Sequence, residues 1–338
     1  MKTKTRNWLS FVLFVVIFGG LLVTATFTDF QVSSFLTVKA LSAHTYLSSD
    51  TFGVAFEALG SDPVYIGFAF AFSILFWYCY RKKSLSAAPR TIFAVVMAVC
   101  AYIANYVMVT DTMDYVQEHV MMIEHSNLTT PGWMLLINVI VACAFWALGL
   151  LAVRNFTDAQ IEALFKVALA TLAFLIVSTV VLHLIKGPVG RIRFRAMNMA
   201  EFDAAHPEYK DAYGFSHFAR WYERHGQWIS KDEMATIFGT TDALKSFPSG
   251  HTNAAGASYL MPMLNDALKI KNKGVRALMW IIPVIITGLT AVSRIIVGAH
   301  FFSDVLVGGT CAFVCMIIAR EIFVCKGANV KAMFGKEA

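Results

Sequence analysis

Apolar residues fall in long solid runs separated by short polar breaks. Eight such runs lie at about 8–28, 63–80, 91–110, 132–153, 163–186, 251–268, 276–293 and 301–323. A hydrocarbon core about 30 Å thick takes roughly 20 apolar residues per helix, so each run predicts one crossing. Short alternating segments, the signature of a membrane β-barrel, are not the pattern here. The sixth run is short and contains Asn253, Pro262 and Asn265. A weakly hydrophobic helix is expected where neighbours surround it and shield it from lipid. The first run follows the basic opening MKTKTRNW and lacks a small-residue cleavage site, which predicts a retained signal-anchor helix.

Composition supports the same reading. Of 338 residues, 57% are hydrophobic and 15% charged, against about 25% charged in ordinary soluble domains, and the mean hydropathy is +0.61. The fold class expected is an all-α polytopic membrane protein of about eight transmembrane helices. It forms a single membrane domain over 1–338. The six cysteines lie in apolar runs or in the C-terminal tail, so no disulfide framework is expected. Cys311 and Cys315 share a helix face but are read as small buried hydrophobes.

Basic residues set the orientation. With the N-terminus cytoplasmic, the Arg81-Lys82-Lys83 break, Arg154, the KIKNKGVR loop and the C-terminal tail all fall on the cytoplasmic side. The loop after Asp111 carries Asp111, Asp114, Glu118 and Glu124 without a lysine or arginine up to Gly132, and fits outside. The expected localisation is the cell membrane, multi-pass, with both termini cytoplasmic. Residues 187–247 form the one long polar stretch and include Phe215, Phe218, Trp221, Tyr222 and Trp228. A small extracytoplasmic cap is expected, resting on the headgroups or packing on itself.

Three polar motifs sit among the last runs, and the crossing map puts all of them on the extracytoplasmic face. The first is Lys186 followed by Arg193, with Gly187-Pro188 expected to break the helix between them. Arginine matches phosphate oxygens with a planar fork, and lysine serves as a point charge. The second is Pro248-Ser249-Gly250-His251. Gly250 permits close backbone approach, Ser249 adds a hydroxyl or an N-cap, and His251 is placed to donate a proton. The third is Ser293-Arg294, then His300, then Asp304. Spacing of four lets Asp304 face His300 on one helix and take a proton from one ring nitrogen, leaving the other as a nucleophile or base. Separately, each motif has a bland reading: a helix anchor, a capped turn, a self-satisfied ion pair. Together they supply the groups needed to grip a phosphate, attack it and protonate what leaves.

On these residues the chain resembles the type 2 phosphatidic acid phosphatase (PAP2) superfamily of lipid phosphatases, whose pattern is K-x6-R-P, P-S-G-H and S-R-x5-H-x3-D. The second and third motifs match in full, and in the first Phe194 stands where proline is expected. Spacing assigns the phosphate contact to Arg193, with Arg191 and Arg195 as alternatives. The resemblance implies a core over 90–325, with 1–85 as extra N-terminal helices and 187–247 as a cap insertion. It implies a phosphoric monoester or diphosphate hydrolase in which His300 forms a phosphohistidine, Asp304 orients it and His251 is the acid. Lys186, Arg193, Ser249, Gly250 and Arg294 would hold the phosphate, without metal or cofactor. The substrate expected is a lipid phosphate or diphosphate, of phosphatidate or undecaprenyl type. A phosphatase of a soluble ester, or a transporter or flippase of phosphorylated solutes, is the alternative. No nucleic acid and no obligatory protein partner is expected. His206, His217 and His225 show no ligand spacing and are read as surface residues.

Overall fold

The structure is a computed structural model and describes residues 3–37, 46–82, 86–121, 128–197, 218–223, 230, 232 and 240–334. The expectations for Phe215, Trp228, His206, His217 and His225 lie outside the described residues. The described residues are mostly helical, with no strand among them, and seven helices are long and apolar enough to cross a membrane. The protein is an all-α polytopic membrane protein.

Helix α1 (Thr3–Thr37) is longer than its apolar run and reaches from one end of the bundle to the other. Near its start, Trp8 Nε1 donates to the Met333 carbonyl at 2.9 Å, and at its end Thr37 Oγ1 donates to the Ile295 carbonyl at 2.8 Å. A short helix that the hydrophobic pattern did not predict, α2 (Thr51–Ala58), follows, capped by Asp50 Oδ1 on the Gly53 amide at 2.7 Å. Then come α3 (Asp62–Arg81), α4 (Ala87–Met121), α5 (Gly132–Arg154) and α6 (Asp158–Val189). Thr157 and Gln160 cap α6 reciprocally, a capping box that marks its start in the sequence.

The sixth crossing is built from three pieces in place of one continuous helix: α7 (Gly250–Ala255), a 3₁₀ turn (Gly256–Tyr259) and α8 (Leu260–Leu268). None of the pieces alone is long enough to span. Their shielding is as expected: Ala257 and Met263 are fully buried in a cluster with Val167 and Phe174 of α6 and Met316 near the C-terminus. At Gly256 an added Cβ would meet Ala312 Cβ at 2.5 Å, so the backbones approach closely where the helix changes pitch. The bundle closes with α9 (Lys273–Ile296) and α10 (Phe302–Ala319), which runs on through a π turn (Arg320–Val324) to α11 (Ala328–Met333). All six cysteines are free.

Charge separates the two ends. At one end Arg81 bonds the Phe156 carbonyl at 2.6 Å and Asp158 at 3.1 Å, and Arg320 bonds Asp266 at 2.7 Å. At the other end α6 and α9 finish and α7 and α10 begin, and there the polar motifs converge. Between the ends, large apolar side chains such as Val96, Ile140, Leu148, Ile176 and Val284 stand exposed, as a lipid-facing surface requires. Of the described aromatics beyond α6, Trp221 donates to Thr26 Oγ1 at 2.9 Å and stacks on Phe247, so this part of the polar segment is fastened to the bundle.

Candidate active site

The Gly187-Pro188 pair does not break α6. A proline in the last turn forfeits a single backbone hydrogen bond, and the helix continues to Val189. It stops where Gly190 takes the left-handed conformation (φ 57°, ψ 37°), a position that favours glycine. Residues 191–193 then leave the helix, and a new helical turn begins at Phe194. The backbone here is tied on both sides: the Arg193 amide donates to the Ala243 carbonyl at 2.8 Å, and the Arg195 amide to the Gly298 carbonyl at 2.8 Å. This strip joins the first motif to the other two.

The three arginines on it part ways. Arg191 is fully buried and turned inward, with Nη1 at 2.5 Å from Asp304 Oδ1 and Nη2 at 2.9 Å from Asp29 Oδ2 of α1. It also lies over the Phe301 ring at 4.1 Å. Arg195 lies over the Tyr46 ring at 4.1 Å and 3.6 Å from Glu57. Arg193 pairs with Asp242 at 2.9 Å, and its Nε has no hydrogen-bond partner among the described residues. Asp242 lies in the loop outside the spans. Burial would raise its carboxyl, but Arg193 and Lys245 override this and hold it well below the usual carboxylate range.

A cavity of about 300 Å³ opens at this end of the bundle, and Lys186, Arg193, Arg294, His251 and His300 all line it. Lys186 Nζ lies where a Cβ on Gly250 would be 3.6 Å away. His251 Nε2 is buried without a hydrogen-bond partner among the described residues, and its ring meets Tyr115 edge-on at 5.2 Å. Two groups of the second motif do not line the cavity themselves. The Ser249 hydroxyl is fully buried and caps α7, sharing a hydrogen bond with Thr252 Oγ1 at 3.0 Å. Gly250 contributes the open turn beside Lys186.

The third motif differs from the expected geometry in one respect. His300 precedes α10, whose first helical residue is Phe302, so His300 and Asp304 do not face each other across a helical turn. Their closest approach is 3.7 Å, too long for a direct hydrogen bond. His300 Nδ1 instead lies 2.5 Å from the Ser246 carbonyl. A carbonyl only accepts, so Nδ1 carries the proton and Nε2 keeps its lone pair. Asp304 acts one step behind: its Oδ2 accepts from Ser246 Oγ at 2.5 Å and from the Phe301 amide at 2.8 Å, bracketing the loop that holds the ring.

Several residues here escaped the sequence reading. Glu57 of α2, 2% exposed, pairs with Arg294 at 2.6 Å. Asp29 of α1 also accepts from Ser303 Oγ at 2.5 Å, completing a buried chain with Arg191 and Asp304. Ser246 and Asp242 lie in the polar segment. Only Glu57 and Asp29 left a signal, as lone carboxylates inside or beside apolar runs, which mark functional positions in membrane proteins.

Neither the curated proteins nor the solved structures contain a match to the chain. The family model of the PAP2 superfamily matches residues 167–327, a span that holds all three motifs. With two histidines and three cations from those motifs gathered on one cavity of a helical membrane bundle, residues 167–327 of the chain belong to the PAP2 superfamily.

Proposed function

We propose that the protein is a membrane phosphatase that hydrolyses a lipid phosphate or diphosphate through a phosphohistidine intermediate. The superfamily suggests phosphatase activity on phosphate esters. The observation that carries the finer reading is the shared cavity of His300, with Nε2 unprotonated, and His251, whose Nε2 has no partner among the described residues. In the first step His300 Nε2 attacks phosphorus as the bond to the leaving oxygen breaks, and His251 gives that oxygen its proton. In the second, water attacks the phosphohistidine, His251 takes the water proton, and the phosphorus–nitrogen bond breaks to release phosphate. Lys186, Arg193 and Arg294 balance the charge on the phosphoryl oxygens, so this chemistry needs no metal ion. Asp304 works through Ser246, and Ser249 works by capping the turn that brings Gly250 and His251 to the cavity.

A lipid ester is favoured over a soluble one by a second cleft of about 250 Å³ between α3 and α4, lined by Phe68, Phe72, Ile103 and Val107 among other apolar residues. It lies on helices that also reach the site: Gly60, just before α3, packs against His251, and Tyr115 of α4 lines the cavity. The basic end of the bundle is assigned to the cytoplasm, which leaves the cavity on the extracytoplasmic face.

The test is phosphate release by detergent-purified protein from a panel of lipid phosphates and diphosphates, with EDTA present. Release that persists in EDTA and falls by more than about 10³-fold in His300→Ala is expected. Equal release by that variant removes His300 as the nucleophile.

A further inference from the structure

We infer that Glu57, on a helix outside the family-matched region, is a positioning residue that holds the Arg294 guanidinium in place for the phosphoryl group. The inference rests on the proposed function of the same cavity.

Glu57 is 2% exposed, and a carboxylate in such a place is retained only if its charge is matched. Its two oxygens have separate partners. Oε1 lies 2.6 Å from Arg294 Nη1 and 3.6 Å from Arg195 Nη1. Oε2 lies 3.1 Å from His119 Nε2. The His119 ring is fixed at its other nitrogen, 3.1 Å from the Ser48 carbonyl. The ring thus lies between two acceptors, the Ser48 carbonyl and the Glu57 carboxylate. Glu57 is therefore held from behind by α4 and the residues before α2, and it presents one oxygen to the arginines. Arg195 is already stacked on Tyr46. Arg294 is the arginine at short range, and neither its Nε nor its Nη1 has a hydrogen-bond partner among the described residues, so its pair with Glu57 is an ionic contact that leaves the donors of the fork for an anion.

The pair is not needed to dock α2 on the bundle. At Gly53 an added Cβ would stand 2.5 Å from Val297 Cγ1, and at Gly60 it would stand 2.9 Å from Thr290 Cγ2, so close apolar contact already fixes this segment against α9. Four cations line the cavity: Lys186, Arg193, Arg195 and Arg294. Without a carboxylate between them, Arg195 and Arg294 repel, and the fork of Arg294 loses its reference direction. A bidentate contact misplaced by about 1 Å costs about 100-fold in rate.

The test is a double-mutant cycle on kcat and KM in the full-length protein, with Glu57→Gln and Arg294→Lys made singly and together. Glu57→Gln keeps the side chain's shape and removes its charge. It is expected to lower kcat/KM by about 10- to 100-fold, mainly in kcat, and by less than about 3-fold when Arg294 is already lysine. His119→Gln, which frees the second oxygen, is expected to show a smaller loss with the same dependence on Arg294, and it serves if Glu57→Gln does not fold. Full additivity in both cycles, or wild-type kinetics in Glu57→Gln, overturns the inference while leaving the phosphatase reading intact. A wild type inactive on every phosphate ester overturns both.

Discussion

His300 occupies the short loop between α9 and α10, outside the spans, and is 1% exposed. Burial is the main reason its pKa is pushed down to about 3. The neighbouring Asp304 opposes the shift, and the positive Arg193, Lys186 and Arg294 add to it. The imidazole is thus neutral at neutral pH, as a nucleophile must be. The same shift is a statement about stability. In the unfolded chain a histidine titrates near 6.5, so between about 6.5 and 3 the unfolded state binds the extra proton. His300 contributes full stability above that window, and the contribution is lost as pH falls through it. Unfolding in detergent between pH 7 and 4 should therefore show a steeper loss for the wild type than for His300→Gln. Equal slopes would remove the burial argument. The three arginines of the first motif teach the complementary lesson. Spacing alone selected Arg193, and the structure turns Arg193 to the cavity, stacks Arg195 on Tyr46 at its wall and commits Arg191 to Asp304 and Asp29. Nothing local separates them, because the deciding partners lie far away in the chain.

The elements were legible where hydrophobicity alone defines them. The runs at 63–80 and 132–153 correspond closely to α3 and α5, since a bilayer forces backbone hydrogen bonds to close within each segment. The helix ends were less legible. Helix α4 continues past its apolar run to Met121, carrying Tyr115 and Glu118 to the cavity and His119 to Glu57. The broken sixth crossing shows why sequence hydrophobicity runs out there: small and polar residues at 249–258 serve contact with α10 instead of lipid. The Ser249 amide donates to the Asp304 carbonyl at 3.0 Å, and Asn253 Nδ2 to the Gly308 carbonyl at 3.2 Å. Gly308 permits this contact, since a Cβ there would stand 2.4 Å from the Ser249 carbonyl oxygen. Gly308→Ala should destabilise the protein by about 1–3 kcal/mol and lower kcat/KM by displacing His251. Gly288→Ala, where a Cβ would meet nothing within 4 Å, is the control. Wild-type melting and turnover in Gly308→Ala would show that α7 and α10 tolerate separation.

At the scale of the whole molecule, the cavity is assembled from residues on both sides of the boundary of the family match. Tyr46, Glu57, Tyr115 and Glu118 precede residue 167 and stand beside Lys186, His251 and His300. The helices before the matched region are therefore part of the site's wall. The apolar cleft of α3 and α4 belongs to this larger unit, and Val107 lies about 12 Å along α4 from Tyr115. If a lipid tail lies there, Val107→Trp should lower kcat/KM for long-chain substrates by about 5-fold or more, roughly the loss of one buried methylene, and leave short-chain esters unaffected. Equal effects on both would place the tail elsewhere. The sequence by itself determined the membrane-spanning class, the long apolar helices and the gathering of three motifs at one end. Each of these follows from hydrophobic run length and from counting crossings, which are properties of the chain taken in order. Only the tertiary structure decided that the Ser246 carbonyl, ahead of Asp304, holds His300, that Arg193 and Arg195 but not Arg191 line the cavity, and that Asp29 and Glu57 brace the site. Those pairings join residues far apart in the chain, and a linear pattern carries no information about which buried charges will meet.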